Sequence, residues 1–268
     1  MSKIEINHLT VDYTEKKKSF TALKDVNFSI EEGEFVSVIG SSGCGKSTLL
    51  SILEGINTPT DGEILINGEK IKGTGTDRGV VFQHYSLFPW MTARKNVAFG
   101  IKQVNHSASR SERYKIADEF LDKVGLEQFK NKYPSQLSGG MQQRVAIARA
   151  LAMDTDILLM DEPFGAIDAK NRTILQELLL ELWEGASPRK TVVFVTHDID
   201  EAILLSDKIV MMTANPGRVY RELEVPFDRP RNRSELVQTR EYNKFRNNLL
   251  SLFYSDIADK IGGEEVVL

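Results

Sequence analysis

The chain has a single cysteine, Cys44, only two tryptophans, and no apolar run of membrane length. One thiol cannot close an intramolecular disulfide, and no His/Cys cluster has the spacing of a zinc site, so a reducing, cytosolic setting is expected. The apolar stretches fall short of the roughly 18 residues that suggest a membrane span. Met1–Ile6 alternates charged and apolar residues and carries no signal-peptide core. The expectation is a chain soluble on its own, with any membrane-spanning part supplied by another protein. An excess of one charge is also missing. The 34 Lys and Arg against 38 Asp and Glu leave a net charge of -4, so bulk electrostatics gives no reason to expect a nucleic-acid partner. Neither internal repeats nor low-complexity tracts occur.

What the chain does have is material for a core. Its 268 residues are 41% hydrophobic, which suits one or two compact domains. Short apolar runs alternate with segments of helical period, the pattern of an α/β fold with a mainly parallel sheet. Buried strands are expected at Phe35–Ile39, Val80–Phe82, Ile157–Met160, Val192–Thr196 and Ile209–Met212. Leu49, Ile52, Leu53 and Ile56 predict a helix, as do Ile116, Phe120, Leu121 and Val124, and again Ile174, Leu175, Leu178 and Leu182. The stretch from about Pro89 to Ala152 shows no strand and reads as a helical insertion. Asn67-Gly68 between Glu63–Ile66 and Glu69–Lys72 predicts a tight hairpin, hence a small antiparallel sheet. Lys16-Lys17-Lys18 reads as the exposed tip of a loop or hairpin, and the Arg-rich segment after Pro216 as a solvated tail ending in a polar helix near Glu241–Phe253.

Gly40-Ser41-Ser42-Gly43-Cys44-Gly45-Lys46-Ser47 has the spacing of a phosphate loop, between a strand and a helix as the chemistry requires. Glycines let successive N–H groups turn inward at phosphate oxygens, and the helix N-terminus adds its dipole. Lys46 can reach the β- and γ-phosphates of ATP, and the Ser47 hydroxyl can ligate Mg2+. Thr48 is counted with this nucleotide-binding set. A glycine turn that merely caps a helix is the competing reading, disfavoured because strand, loop and helix occur together.

A second polar feature lies at the end of Ile157-Leu158-Leu159-Met160-Asp161-Glu162. Two carboxylates after four apolar residues need compensation. Asp161 suits a Mg2+ shell, and Glu162 suits polarising an attacking water. Gly40, Gln83, Asp161 and His197 each stand at or just beyond the carboxyl end of an expected strand, where ligands of parallel sheets bind. Gln83 can bond the metal shell or the water, and His197 can contact the γ-phosphate.

Leu137-Ser138-Gly139-Gly140-Met141-Gln142-Gln143-Arg144 opens another helix, with Ser138 a natural N-cap, and so makes a second helix N-terminus suited to an anion. With these residues the chain resembles an ATP-binding-cassette (ABC) ATPase subunit over nearly its whole length. That resemblance implies a P-loop NTPase (RecA-like) parallel core with a small antiparallel β subdomain and an inserted helical subdomain. Residues 1–215 would form the ATPase domain, with the insertion at about 89–152, and 216–268 the C-terminal tail. It further implies a homodimer with two ATP molecules sandwiched between each phosphate loop and the opposite subunit's signature, Ser138, Gly139 and Gly140. By the same resemblance Gln83 is the Q-loop glutamine, Asp161 and Glu162 belong to Walker B, Asp168 to the D-loop, and His197 is the switch histidine. Tyr13 matches the aromatic residue that stacks on adenine, with Phe20 as competitor. Met141 stands where the family usually has Gln, which removes a polar contact but keeps a good helix former.

Arg78–Gln83, Leu87–Trp90, Asn96–Gly100, Asp161–Gly165, Asn215–Val219 and Arg229-Pro230-Arg231 narrow the resemblance to ATPase subunits of bacterial importers for nitrate, sulfonates, taurine and similar solutes. Such subunits work with membrane permeases and, indirectly, an extracytoplasmic solute-binding protein. The resemblance therefore implies a peripheral position on the cytoplasmic face of the inner membrane. Tyr85, Leu87, Phe88 and Trp90 would then belong to the groove that receives a permease helix; the competing reading is that Phe88 and Trp90 pack the helical insertion. The alternative is a soluble cassette ATPase acting in repair, on ribosomes or in assembly. It is disfavoured because no sustained heptads separate Ser47 from Leu137 and only one cassette is present.

Overall fold

The expected alternation of strands and helices is realised. The structure, a computed structural model, describes residues 2–15, 18–165 and 167–261. In chain order the elements are β1 (Ser2–Glu15), β2 (Lys18–Glu31), β3 (Phe35–Gly40), α1 (Lys46–Leu53), β4 (Asp61–Ile66), β5 (Glu69–Lys70) and β6 (Arg78–Val81). There follow α2 (Ala93–Val104), α3 (Arg110–Lys123), α4 (Gly139–Ala152), β7 (Ile157–Asp161), α5 (Ala169–Glu184) and β8 (Thr191–Val195). The chain continues through α6 (Ile199–Leu205), β9 (Lys208–Thr213), β10 (Arg218–Glu224), α7 (Arg233–Leu236) and α8 (Arg240–Ile261). Lys16, Lys17 and Ala166 lie outside the described residues, and with them most of the expected Lys16-Lys17-Lys18 tip.

Among the described residues, one compact unit draws on Met1–Ile52, Asn57–Ile71 and Val195–Leu268, and another on Leu53–Ile56 and Lys72–Phe194. In the first, β1 pairs antiparallel with β2 and with β4, and β4 with β5. Asn67 and Gly68 both adopt positive φ, 52° and 76°, the twist that suits a two-residue hairpin. β3 runs parallel to β9, and β10 closes on β9 antiparallel. Every residue of β3 is buried, which accounts for its apolar character; the one polar exception is Ser37, whose hydroxyl pairs with that of Ser206.

The tail differs from the solvated segment expected. Tyr242 and Leu249 of α8 are buried with Ala202, Ile203 and Leu204 of α6 in an apolar cluster. Arg229 and Arg231 donate to the carbonyls of Ile203, Leu204, Leu205 and Ser206 at the C-terminal end of α6. Helix ends leave carbonyls without intrahelical partners, and the guanidinium fork is suited to meet them.

In the second unit β6 runs parallel to β7, and α2, α3 and α4 pack on one another. The described residues between 89 and 152 contain no strand. Two helical expectations need correction. Ile56 lies beyond α1 and is exposed, because α1 stops at Leu53. α5 buries Leu175, Leu179 and Trp183 and leaves Ile174 exposed, so its inward face is rotated from the one the spacing suggested.

Candidate active site

In the first unit β3 delivers the chain into a loop tightened by Cys44 N–H donating to Ser41 O at 3.3 Å, with Gly43 and Gly45 at positive φ. A side chain at Gly45 would run into Leu23. α1 then begins at Lys46, with Leu49 N–H returning to Gly45 O at 2.8 Å. Lys46 is only 9% exposed, and its ammonium donates to Gly40 O at 2.7 Å and Ser41 O at 3.2 Å. The loop's own carbonyls therefore hold the cation in place. Ser42 and Ser47 are exposed, Ser41 and Thr48 half-buried. Burial raises the pKa of the Cys44 thiol, so the loop cysteine is a packing residue and not a ready thiolate. Behind the loop, Gly217 N–H donates to Ala22 O and Lys24 N–H to Gly217 O, both at 2.9 Å. A Cβ at Gly217 would collide with Cys44 O, which explains a glycine there.

His197 is exposed and is flanked by fixed neighbours. Thr196 donates from its hydroxyl to Glu201 at 2.6 Å and accepts from Asp198 N–H at 3.0 Å. Asp198 caps α6, accepting from the N–H groups of Asp200 and Glu201.

On the antiparallel sheet Tyr13 stands directly opposite Phe20, their ring centroids 5.5 Å apart. The two candidates for stacking on a base are thus neighbours on a single aromatic surface, with Phe20 57% exposed.

In the second unit β7 ends in half-buried Asp161, and Glu162 follows with φ of 43°, a conformation uncommon for a residue with a side chain. Gln83 Nε2 donates to Glu162 Oε2 at 3.3 Å. Buried Glu54 has its pKa pushed up to about 7, chiefly by burial and further by the Asp161 charge. The segment from Phe82 to Thr92 is held by polar side chains of α2 and α4. Gln143 donates to Phe82 O at 3.4 Å, Arg149 to Ser86 O at 2.8 Å, and buried Asn96 accepts from Phe88 N–H while donating to Phe88, Met91 and Thr92 carbonyls. Phe88 packs edge-on against Phe99 at 4.7 Å, whereas Trp90 is 68% exposed.

Ser138 caps α4, its hydroxyl accepting from Met141 N–H at 3.3 Å. A Cβ on Gly139 would lie 2.6 Å from the Tyr85 hydroxyl, so this turn admits glycine only unless the tyrosine moves. Gly140 and Met141 are half-buried. Asp168 caps α5, accepting from Asn171 at 3.1 Å and 2.7 Å, and these bonds lower its pKa. Sequence reasoning missed Glu54, Asn96, Gln143 and Arg149. Asn96 and Gln143 stood inside the stretches Asn96–Gly100 and Leu137–Arg144 that carry the resemblance, and a polar residue on an otherwise apolar helical face was the further signal for their packing role.

No group of three or more His, Cys, Asp or Glu among the described residues can hold a metal. In the second unit the Gln83 amide oxygen and the Asp161 carboxylate are donors of the kind Mg2+ takes, as is the exposed Ser47 hydroxyl in the first. All are hard oxygen donors, and the Gln83 amide nitrogen is already engaged with Glu162, which fits that ion's preference.

A phosphate loop between a buried strand and a helix, with carboxylates ending a second parallel strand, defines a P-loop nucleotide-binding α/β protein. The family model described as ABC transporter matches residues 23–165. The chain belongs to the ABC transporter family and is an ATP-binding, ATP-hydrolysing subunit of it. It is 49% identical to the nitrate import ATP-binding protein NrtD of Synechococcus elongatus, over 89% of this chain and 87% of that protein. It is 44% identical to the bicarbonate transport ATP-binding protein CmpD of Synechocystis, over 95% of this chain and 90% of the relative. Among solved structures it is similar to a dimeric, post-hydrolysis state of the ATP-binding cassette MJ0796 bound to ADP and Pi. There the TM-score is 0.75 and the identity 40%, covering 84% of this chain and all of the other. The P-loop NTPase fold follows.

Proposed function

We propose that the chain is the ATP-hydrolysing subunit of a bacterial ABC importer for a small anion, with nitrate and bicarbonate as the first candidates. The observation that carries the mechanism is the presence of two glycine-bearing helix N-termini in one chain, at Lys46 and at Gly139. A one-site ATPase has no use for the second. In a head-to-tail homodimer, Ser138, Gly139 and Gly140 of one subunit close over the ATP held by Lys46, Ser47 and the loop N–H groups of the other. Asp168 lies at the same interface, and the Tyr13–Phe20 surface stacks on adenine.

Glu162 polarises the attacking water, Gln83 orients that carboxylate, and His197 contacts the γ-phosphate. Ser47, Gln83 and Asp161 would hold Mg2+, which when bound would supply charge neutralisation at the phosphates. Binding two ATP molecules favours the closed dimer, and hydrolysis releases it. In this reading residues 1–215 are the ATPase domain with the helical insertion at about 89–152, and 216–268 are an appended tail. Exposed Trp90, beside Tyr85, Leu87 and Phe88, faces a permease subunit. That permease keeps the chain on the cytoplasmic face of the inner membrane, and a solute-binding protein delivers the anion from outside.

The test is light scattering with Mg-ATP on the wild type and on Glu162→Gln. A stable ATP-dependent dimer in Glu162→Gln that dissociates when Ser138 is also replaced supports the sandwich. Normal turnover by a monomeric Glu162→Gln protein would rule it out. Substrate is settled by reconstituting the complete transporter and following nitrate and bicarbonate uptake.

A further inference from the structure

The short helix α6 starts just after His197, and the tail grips it at both ends. At its N-terminal turn the Asp200 carboxylate accepts from the Tyr242 hydroxyl at 2.7 Å and from Arg246 at 2.7 Å and 3.1 Å. At its C-terminal end Arg229 and Arg231 supply the carbonyl partners described above. Between the two, Tyr242 and Leu249 pack against Ala202, Ile203 and Leu204. A seven-residue helix is too short to be stable by itself, so its position is set by what holds it. Further along α8, Leu252 and Phe253 line a narrow crevice together with Ser41 of the phosphate loop, Met212 and Tyr220. One helix of the tail therefore packs on the helix that follows the histidine and borders a crevice shared with the loop.

We propose that Asp200, Tyr242 and Arg246 are positioning residues for His197, so that the C-terminal tail sets the rate of ATP hydrolysis without touching the nucleotide. The link is short and fully bonded. Arg246 and Tyr242 fix Asp200, whose N–H is held by Asp198, whose own N–H is held by Thr196, and His197 sits between these last two. Loosening the Asp200 contacts lets α6 and its leading residues shift, which reduces the share of molecules with the imidazole in place. The inference rests on His197 acting at the γ-phosphate.

The experiment is steady-state Mg-ATP hydrolysis by the full chain, with a thermal melt on each variant. Arg246→Ala is expected to lower kcat about tenfold with KM within about twofold, because the loss falls on turnover and not on binding. Arg246→Lys should recover most of the rate by keeping the charge. If Arg246→Ala does not fold, Tyr242→Phe decides, since it keeps the ring in the cluster and deletes only the hydroxyl. In a His197→Ala background neither change should slow the residual rate further. Wild-type kcat in both Arg246→Ala and Tyr242→Phe overturns the inference, as does an undiminished effect of either in the His197→Ala background. A His197→Ala protein with wild-type kcat instead overturns the histidine reading, an outcome distinguishable because it needs no tail variant.

Discussion

Gln83 reaches Glu162 from a different strand end, its amide nitrogen 3.3 Å from the carboxylate oxygen. A glutamine that donates to a carboxylate orients it without taking its charge, and leaves one amide oxygen to accept from a water or face a metal. Glu162→Gln should lower kcat by about 10²–10⁴-fold with ATP binding retained, the range typical of a lost general base. Gln83→Ala should lower it less, and the double variant should fall no further than Glu162→Gln alone. Turnover assays beside nucleotide-binding titrations check this; additive losses would show that the two act separately.

Gly217→Ala addresses the phosphate loop from behind. The new methyl meets the Cys44 and Ala22 carbonyls, which are backbone atoms and cannot swing away. Overpacking of this kind costs about 1–3 kcal/mol. Part of it should appear as weaker ATP binding, measurable by calorimetry, even though the residue lies far along the sequence from the loop.

Asn96→Ala removes one acceptor and two donors from the segment Phe88–Thr92 and leaves the freed backbone groups inside. A loss of about 2–4 kcal/mol in stability is expected, readable by urea denaturation. Trp90→Ala, at an exposed position, should leave stability within about 0.5 kcal/mol of wild type while weakening assembly with the permease.

Glu54 introduces a pH dependence. The folded protein keeps this carboxyl protonated up to about pH 7, whereas the unfolded chain loses the proton near 4.5. The folded state thus binds more protons across that interval, and the Glu54 contribution to stability falls as pH rises from about 4.5 to about 7. Glu54→Gln, neutral throughout, should flatten this slope and melt higher than wild type at pH 8. Equal pH dependence in the two proteins would remove Glu54 as its source.

Much of this was legible from local pattern. The buried strands ending at Gly40 and Asp161 and the Asn67-Gly68 hairpin depend on runs of a few residues, and such signals survive without tertiary information. The α5 face was misread because Ile174, Leu175, Leu178, Leu179, Leu182 and Trp183 offer apolar residues on more than one side, so period alone does not choose between them. The Tyr13–Phe20 pairing depends on register shifts between β1 and β2 that move the two strands past one another. Arg229 and Arg231 looked solvated because, the Asp207 carboxylate beside Arg229 apart, their partners are backbone carbonyls at the end of α6 and at Phe227, and a carbonyl leaves no mark in composition.

The pairing of β3 with β9 sets Val36 beside Lys208 and Val38 beside Val210. At ~5–20 residues per second, a ribosome releases the second strand roughly 10–30 s after the first. Nascent β3, apolar on both faces, must wait that long for its neighbour, and Arg246 emerges later still. A messenger cut short before the codon for Arg229 would yield a chain with its phosphate loop intact but α6 without any of its tail partners, so early termination products should be poor consumers of the cell's ATP.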